Sequence, residues 1–382
     1  MNPGPRTAGR EIGLCDLSRR ELGELLEGHP RYRIDQLWDG LYRQRLPLAQ
    51  LTSLPKQLRA DIGDLAGNSL ELVRAVPADR GRTVKQLWSL ADGHLVESVV
   101  MHYYNRTTVC VSSQAGCAMG CTFCATGQMG FDRHLSVGEI VEQVLRADEG
   151  AAGGAAAGGA ARSAGAAGSG RAGGQRADDQ RPGNVVFMGM GEPLANFDAV
   201  WTAVERLNHD VGIGARRITV STVGIVPGIK RLAAADLPVN LAVSLHAAND
   251  RLRNRLAPVN RQYPLADLAR TLQDYRRAKS RRISLEWAMI DGVNDSRADA
   301  HELAEFARPL AAHVNLIPLN ATPGYPMAPT PPEHIERFAE ELRAIGVNAT
   351  VRANRGTDID AACGQLRAGA SVRVAVAPRP RG

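Results

Sequence analysis

The 382-residue sequence has few aromatic residues, few lysines and no long apolar run. Aromatic residues make up only 4% of the chain, so a folded core must be built mainly from Leu, Val, Ile and Ala. No segment approaches the roughly 20 consecutive apolar residues that a transmembrane helix needs. The first fifteen residues also lack the apolar region of a secretory signal peptide. We therefore expect a cytoplasmic protein that does not enter a membrane.

Positive charge comes almost entirely from arginine. The chain has 42 Arg and 4 Lys, and its formal net charge is +6. This charge is compatible with an anionic partner such as RNA but does not require one. Three basic groups are candidates for phosphate contacts, and each fits a solvated helix face equally well. They are Arg31, Arg33, Arg43 and Arg45; Arg251, Arg253 and Arg255; and Arg276, Arg277, Lys279, Arg281 and Arg282.

The sequence divides into a helical part, a hairpin and a repeated β–α pattern. Within the repeat, residues 150–174 contain 21 Ala or Gly, which bury too little surface to offset the entropy lost on ordering. We predict a flexible terminus at 1–12, a helical accessory domain at 13–80 and a linking β-hairpin at 81–105. A barrel at 106–367 follows, with a disordered insertion at 150–181, and the chain closes with a flexible tail at 368–382.

Short apolar segments alternate with amphipathic helical segments over the barrel region, which predicts an α/β fold with a parallel sheet or barrel. Six or seven βα units fit a partial or full barrel, whose functional residues collect at the carboxyl ends of the strands. The predicted strands are Thr107–Ser112, Asn184–Met188, Arg217–Ser221, Val239–Ser244, Arg282–Ala288, Val314–Pro318 and Asn348–Val351.

Three of the six cysteines form a CxxxCxxC motif directly after the first of these strands, at Cys117, Cys121 and Cys124. In a reducing compartment, cysteines are more often metal ligands or catalytic thiols than disulfides. Three thiolates on a [4Fe–4S] cluster leave one iron open. An open iron can chelate the amino and carboxylate groups of S-adenosylmethionine (SAM) and pass an electron to its sulfonium. The motif resembles the signature of the radical-SAM superfamily.

Structural zinc is the alternative for these cysteines. Zinc requires four ligands in a closed tetrahedral site, and Cys110 or Cys363 is available as the fourth. Zinc motifs usually pair a CxxC with a second CxxC or with HxxxH, and the sequence contains no such pair. The cysteine pattern therefore favours iron–sulfur coordination.

A Gly-rich turn, GMGEP, follows the second predicted strand and contains Gly191 and Glu192. Glycine lets a ligand approach the backbone, and a carboxylate can accept hydrogen bonds from an ammonium group. Other predicted strands end in polar residues that include Ser221, His246 and Asn320. Taken singly, each of these fits a strand cap as well as it fits a ligand contact.

The motifs CxxxCxxC, GMGEP, SLH at 244–246 and DIDAACGQL at 358–366 occur in the same order as in the RlmN/Cfr family of radical-SAM RNA methyltransferases, which the chain resembles from about Tyr32 to Leu366. The likeness is greater to the adenine-C2 enzymes than to the C8 enzymes. It implies a partial (βα)6-type barrel, one [4Fe–4S] cluster and two SAM molecules per turnover. The implied SAM contacts are Gly191, Glu192, Ser221, Ser244, Leu245, His246 and Asn320.

The resemblance also implies catalytic roles. Cys363 accepts a methyl group from one SAM, and the cluster cleaves a second SAM to a 5′-deoxyadenosyl radical, which removes hydrogen from that methyl group. The resulting carbon radical adds to adenine C2. Cys110 then attacks the Cys363 sulfur, which releases methylated RNA and leaves a transient disulfide. Glu97 matches the proton acceptor, although from sequence alone it is an ordinary strand residue.

The implied substrates are an adenosine in the peptidyl-transferase region of 23S rRNA and the adenosine 3′ of certain tRNA anticodons. The target base must leave its stack to reach the barrel. We also expect a flavodoxin- or ferredoxin-type electron donor and a monomeric enzyme. Two alternatives remain open at this point: a C8-specific methyltransferase of the same family, and a zinc-stabilised, non-catalytic RNA-binding protein.

Overall fold

The computed structural model describes residues 13–150, 181–320, 327–352, 356, 359 and 365–366. The predicted flexible terminus and tail, and residues 151–180 of the predicted insertion, lie outside the described residues. In the described ranges the helices are α1 (Arg19–Leu25), α2 (Tyr32–Tyr42), α3 (Lys56–Leu65), α4 (Ala125–Gln128), α5 (Val137–Leu145), α6 (Phe197–His209), α7 (Val226–Ala234), α8 (Asp250–Leu256), α9 (Leu265–Lys279), α10 (Arg297–Ala307) and α11 (Pro332–Ala344).

The strands of the same ranges are β1 (Leu70–Ala78), β2 (Thr83–Leu90), β3 (Leu95–Tyr103), β4 (Arg106–Cys110), β5 (Gln114–Gly116), β6 (Phe131–His134), β7 (Pro182–Phe187), β8 (Ile218–Thr222), β9 (Asn240–Ser244), β10 (Ile283–Met289), β11 (His313–Pro318) and β12 (Asn348–Val351). Ten of them form one sheet, in the order β1-β2-β3-β4-β7-β8-β9-β10-β11-β12. β5 and β6 form a separate antiparallel pair.

The large sheet is antiparallel from β1 to β4 and parallel from β4 through β7 to β12. The predicted α/β class is thus confirmed, and the predicted hairpin is β2–β3. Seven strands run parallel, one more than in a (βα)6 arrangement. β1 and β12 are the two edges in the described part of the chain, so the barrel is open.

Serine capping boxes begin three helices where the sequence places a serine three residues before an acidic side chain. Ser136 accepts a hydrogen bond from the Glu139 N–H at 3.2 Å, and the Glu139 carboxylate accepts one from the Ser136 N–H at 2.8 Å. Each such cap satisfies N–H groups that the helix leaves unpaired and contributes about 1 kcal/mol. Ser18 begins α1 and Ser296 begins α10 in the same way. Of these helices, α5 and α10 connect strands, and α1 belongs to the N-terminal helices.

Alternation along β10 separates the two faces of the sheet. Trp287 points toward the outer helices, where its ring centroid lies 6.3 Å from that of Phe338 in α11. Glu286 and Ala288, on the opposite face, border a cavity inside the curved sheet. The outer face is therefore the packed core and the concave face carries polar side chains.

The N-terminal helices pack directly on the sheet-and-helix unit. The Trp38 indole N–H donates to Asp210 at 2.9 Å, and Arg206 donates to the Tyr42 hydroxyl at 3.1 Å. Buried side chains of α1 to α3 belong to the same hydrophobic cluster as those of the sheet. In the described ranges no helix combines the length and apolar character that a membrane crossing requires.

Candidate active site

A cavity opens at the carboxyl ends of the parallel strands, where a barrel of this class concentrates its functional groups. Its walls come from the loop after β5 and from the ends of β7, β8, β9, β10 and β11. Nine of the residues predicted from sequence border it: Cys117, Cys121, Cys124, Gly191, Glu192, Ser221, Ser244, His246 and Asn320.

The cysteine loop is held in place by backbone hydrogen bonds to its neighbours. The Cys117 N–H donates to the carbonyl of Gly130 at 2.6 Å, and the Thr122 N–H donates to that of Leu256 at 3.0 Å. Within the loop, the Cys124 N–H donates to the Cys121 carbonyl at 3.2 Å. The loop is therefore anchored both to the β5–β6 pair and to the end of α8, and all three cysteines face one cavity.

The three cysteines fit a multi-iron cluster better than a single metal ion. Burial raises the pKa of Cys117 to about 12 and that of Cys121 well above its usual value, and a bound cation would oppose this effect by stabilising the thiolates. Sulfurs bound to one zinc lie about 4 Å apart, given Zn–S bonds of about 2.3 Å. The three cysteine sulfurs do not form such a trio: in the described ranges, only Asp291, Asp295 and His334 bring three ligand atoms within 4.8 Å of one another.

Glu192 is fixed by the backbone around it. Its side-chain oxygens accept hydrogen bonds from the Leu194 N–H at 3.0 Å and the Val223 N–H at 2.8 Å. Its own N–H donates to the Gln114 side chain at 2.8 Å. Burial raises its pKa to about 7 although both N–H bonds favour the ionised form. The GMGEP turn thus presents a buried carboxyl group at the cavity, joined to the loop after β8.

Gly191→Ala is expected to weaken SAM binding by at least about tenfold, because the turn has no room for a side chain. Gly191 has φ +96°, and an added Cβ would lie 2.5 Å from the Gln114 Cβ and 2.8 Å from its backbone nitrogen. The clash displaces Gln114, whose side chain accepts a hydrogen bond from the Glu192 N–H. Gly214→Ala is the matched control, since no heavy atom lies within 4 Å of its added Cβ. Titration calorimetry with S-adenosylhomocysteine measures both variants, and equal affinities would contradict the expectation.

His246 lies in the loop after β9 in a left-handed conformation, with φ +59°. Its Nδ1 accepts a hydrogen bond from the Ala288 N–H at 3.0 Å, and its carbonyl accepts one from the Asn294 side chain at 2.9 Å. Burial lowers its pKa to about 3, so the imidazole is neutral. The hydrogen bond at Nδ1 places the single ring proton on Nε2. These contacts hold a strained backbone next to the cavity, as is common at functional sites.

Arg253 corrects one sequence prediction. It was grouped with Arg251 and Arg255 as a phosphate contact or solvated residue, and both interpretations are wrong for it because its side chain is fully buried. Its guanidinium donates to the carbonyls of Val223 at 2.6 Å and Leu245 at 3.1 Å. It therefore ties together the loops after β8 and β9, while Arg251 and Arg255 remain exposed.

Three of the predicted site residues that the structure describes do not border the cavity. Leu245 is fully buried, and its N–H donates to the Glu286 carbonyl at 3.0 Å. Cys110 is buried at the end of β4, and Glu97 is buried on β3 with an oxygen 3.3 Å from Lys85 Nζ. Cys363 lies outside the described residues.

Strand register relates Cys110 and Glu97 to the cavity. Cys110 is opposite Val99 on β3 and Val186 on β7, and opposed residues point to the same face. Glu97 is two residues from Val99 and so shares this face. Met188, two residues beyond Val186, borders the cavity. Both predicted catalytic residues thus lie on the concave face, below the cavity.

Sequence reasoning missed several cavity residues, among them Phe123, Glu286 and Arg352. Glu286 could have been found from the sequence, because it is a carboxylate within the apolar strand β10. It lies between the buried residues Leu285 and Trp287, whose side chains point to the opposite face of the sheet. Phe123, whose ring centroid lies 4.4 Å from that of His246, had none beyond its position between two cysteines.

Comparison with known proteins finds relatives that cover most of the chain. The model of the Radical SAM superfamily matches residues 174–307. A probable dual-specificity RNA methyltransferase RlmN of Chloroflexus aurantiacus is 45% identical over 369 residues, which cover 92% of each chain. Its counterpart in a Parafrankia species is 46% identical, over 94% of this chain and 92% of the relative. A crystal structure of a radical SAM methyltransferase from Sphaerobacter thermophilus is similar with a TM-score of 0.84 and 47% identity, over 94% of this chain and 99% of that one.

Proposed function

Since the chain belongs to the RlmN family of radical-SAM RNA methyltransferases, we propose that it methylates C2 of adenosine in 23S rRNA and in tRNA. The cofactors of this family are a [4Fe–4S] cluster and SAM. The observation that carries the proposal is a single cavity bordered both by the three motif cysteines and by Glu192, as radical cleavage of SAM requires.

Cys117, Cys121 and Cys124 would hold three of the four irons. When bound, the cluster supplies the electron that cleaves SAM into methionine and a carbon radical. The protein side chains bind and orient the cosubstrate. Glu192, when ionised, attracts the methionyl ammonium group, and the neutral His246 offers its Nε2 proton as a hydrogen-bond donor.

We assign methyl transfer to Cys363, which as a thiolate attacks the methyl carbon of one SAM and displaces S-adenosylhomocysteine before a second SAM is cleaved. Leu366, three residues later in the chain, borders the cavity, and its carbonyl accepts a hydrogen bond from Thr126 at 2.5 Å. Three residues of chain span at most about 11 Å. This anchoring of the neighbouring residue supports a role for Cys363 at the cavity.

Cys110 and Glu97 complete the proposed cycle from the concave face. Glu97, which has an oxygen 3.3 Å from Lys85 Nζ, accepts the proton from adenine C2 after the new carbon–carbon bond forms. The unpaired electron left on the base would return to the oxidised cluster, which leaves a thioether between Cys363 and the base. Cys110 attacks the Cys363 sulfur, and the sulfur–carbon bond breaks with its electron pair going to carbon, which takes up a proton to become the methyl group. A cellular thiol then reduces the disulfide.

We further propose that the enzyme acts in the cytoplasm as a monomer, with electrons from a flavodoxin- or ferredoxin-type protein. On the basis of the family resemblance, we assign RNA binding to the helical accessory domain at 13–80. This segment carries the basic group Arg31, Arg33, Arg43 and Arg45, of which Arg31 and Arg43 are exposed.

The Arg251→Ala/Arg255→Ala double variant is expected to weaken RNA binding and to flatten its salt dependence. Both side chains are exposed on α8, which begins four residues after His246 at the cavity. Each lost phosphate contact reduces the slope of log K against log salt by about 0.7 to 0.9. Filter binding of an rRNA fragment at several salt concentrations measures this slope.

The matched control removes the same charge at the opposite, amino ends of the parallel strands. Arg276 and Arg277 are exposed at the end of α9, next to the amino end of β10. Arg276→Ala/Arg277→Ala should change the slope less than the α8 double variant. An equal loss from both pairs would show that general charge, and not the cavity edge, determines binding.

Nucleoside mass spectrometry of RNA treated with reduced enzyme and SAM tests the assigned position. The proposal predicts 2-methyladenosine in both an rRNA fragment and a tRNA. 8-Methyladenosine would identify the C8 activity instead. Absence of any methyladenosine, together with stoichiometric zinc, would support the non-catalytic RNA-binding alternative.

A further inference from the structure

Glu286 is a buried carboxylate on the cavity wall to which the proposed chemistry gives no role. Its side chain is only 4% exposed and borders the cavity from the middle of β10. Asn315, on neighbouring β11, donates a hydrogen bond to its Oε1 at 2.9 Å. Its Oε2 has no hydrogen-bond partner among the described residues.

An unpaired buried carboxylate oxygen is costly, because it has lost its hydration without gaining a donor. Burial raises the pKa of Glu286, while the Asn315 hydrogen bond and the positive charge of Arg352 favour its ionised form. Arg352 also borders the cavity. A donor from a bound ligand would satisfy the remaining oxygen.

Strand register places Glu286 beside Ser244. The two residues are paired across the parallel strands β9 and β10 and therefore project from the same face at the same level. Both border the cavity, and neighbouring strands lie about 4.8 Å apart. The Ser244 hydroxyl, which can donate or accept a hydrogen bond, and the Glu286 carboxylate, which accepts, thus lie side by side. This pair suits a ligand with two adjacent hydroxyl groups.

We propose that Glu286 binds the ribose hydroxyls of the SAM adenosyl group, as an acceptor next to Ser244. The inference rests on the proposed use of SAM. The cysteines and Glu192 take the methionyl end of the cosubstrate, so the wall formed by β9 to β11 is left for the adenosyl end. Adjacent ribose hydroxyls are paired donors for a carboxylate, as in dinucleotide sites where an acidic residue binds the ribose.

Removing single ribose hydroxyls from the ligand isolates this contact. The probes are S-adenosylhomocysteine and its 2′-deoxy and 3′-deoxy analogues, titrated calorimetrically into anaerobically reconstituted protein. The wild type should bind the parent at least about tenfold more tightly than one of the analogues, since hydrogen bonds to charged groups are the strong ones. In Glu286→Ala this ratio should fall to about threefold or less. Glu286→Gln, which keeps the shape of the side chain, should lower the ratio in the same direction.

Ser284→Ala is the matched control, since Ser284 lies two residues earlier on the same face of β10 and should leave the ratio unchanged. A wild-type ratio retained in both Glu286 variants would overturn the inference. So would an equal loss of affinity for parent and analogues, which indicates that Glu286 only supports Arg352 or the fold. Wild-type protein that binds none of the three ligands would overturn the proposed function itself.

Discussion

Cys363→Ala is expected to abolish RNA methylation while leaving the iron–sulfur cluster in place. The proposed cycle routes the transferred carbon through the Cys363 sulfur, and alanine offers no nucleophile. The methylation rate should fall by at least about a thousandfold, as it does when a covalent nucleophile is removed from other enzymes. Iron and sulfide content should equal that of the wild type, because the ligands are Cys117, Cys121 and Cys124. Radiolabel from methyl-labelled SAM should also no longer appear on the protein.

The matched control for this variant is Cys15→Ala. Cys15 is buried next to the N-terminal helices and does not border the cavity, and burial raises its pKa well above the usual value. That variant should methylate RNA at close to the wild-type rate. Retained turnover in Cys363→Ala, with label still carried by the protein, would show that another residue is the methyl carrier.

Cys110→Ala is expected to stop turnover at a different point and to trap RNA on the protein. Without the resolving thiol, the sulfur–carbon bond between Cys363 and the modified adenine has nothing to break it. After one turnover at most, a protein–RNA adduct should accumulate. On a denaturing gel the adduct should persist in the presence of reducing agents, because the link is a thioether. Treatment with ribonuclease should return its mobility to near that of the free protein.

The double variant Cys110→Ala/Cys363→Ala separates trapping from tight binding. It lacks the attachment point and should give no adduct. Normal multiple turnover by Cys110→Ala would contradict its resolving role. An adduct formed equally by the double variant would show that RNA is attached through another residue.

Periodicity was enough to predict most of the sheet. All seven parallel strands occur within one or two residues of their predicted bounds, because they are buried on at least one face and bounded by helical segments. β1 was missed: only two of its nine residues are buried and four, including Leu72 and Val73, are half-buried, which gives it a weak pattern. Its strand character depends on pairing with β2, a tertiary effect that local sequence does not reveal.

The site was predictable where residues occur in contiguous motifs. CxxxCxxC, the GMGEP turn and SLH all reach one cavity because parallel strands bring their carboxyl ends to one edge. The burial of Arg253 could not be predicted from the sequence. Three arginines occur at alternate positions there, and only tertiary packing determines which of them is buried. Glu286 also depends on context, because its importance lies in a missing partner that only the three-dimensional arrangement exposes.

The most direct test of the account is SAM cleavage by reduced, anaerobically reconstituted enzyme, with 5′-deoxyadenosine quantified by mass spectrometry. The wild type should release 5′-deoxyadenosine together with methyladenosine when RNA is present. The variant with Cys117, Cys121 and Cys124 all replaced by alanine should bind no cluster and release neither product. A wild-type enzyme with a full iron–sulfur complement that releases no 5′-deoxyadenosine would contradict the central claim that these three cysteines support radical cleavage of SAM.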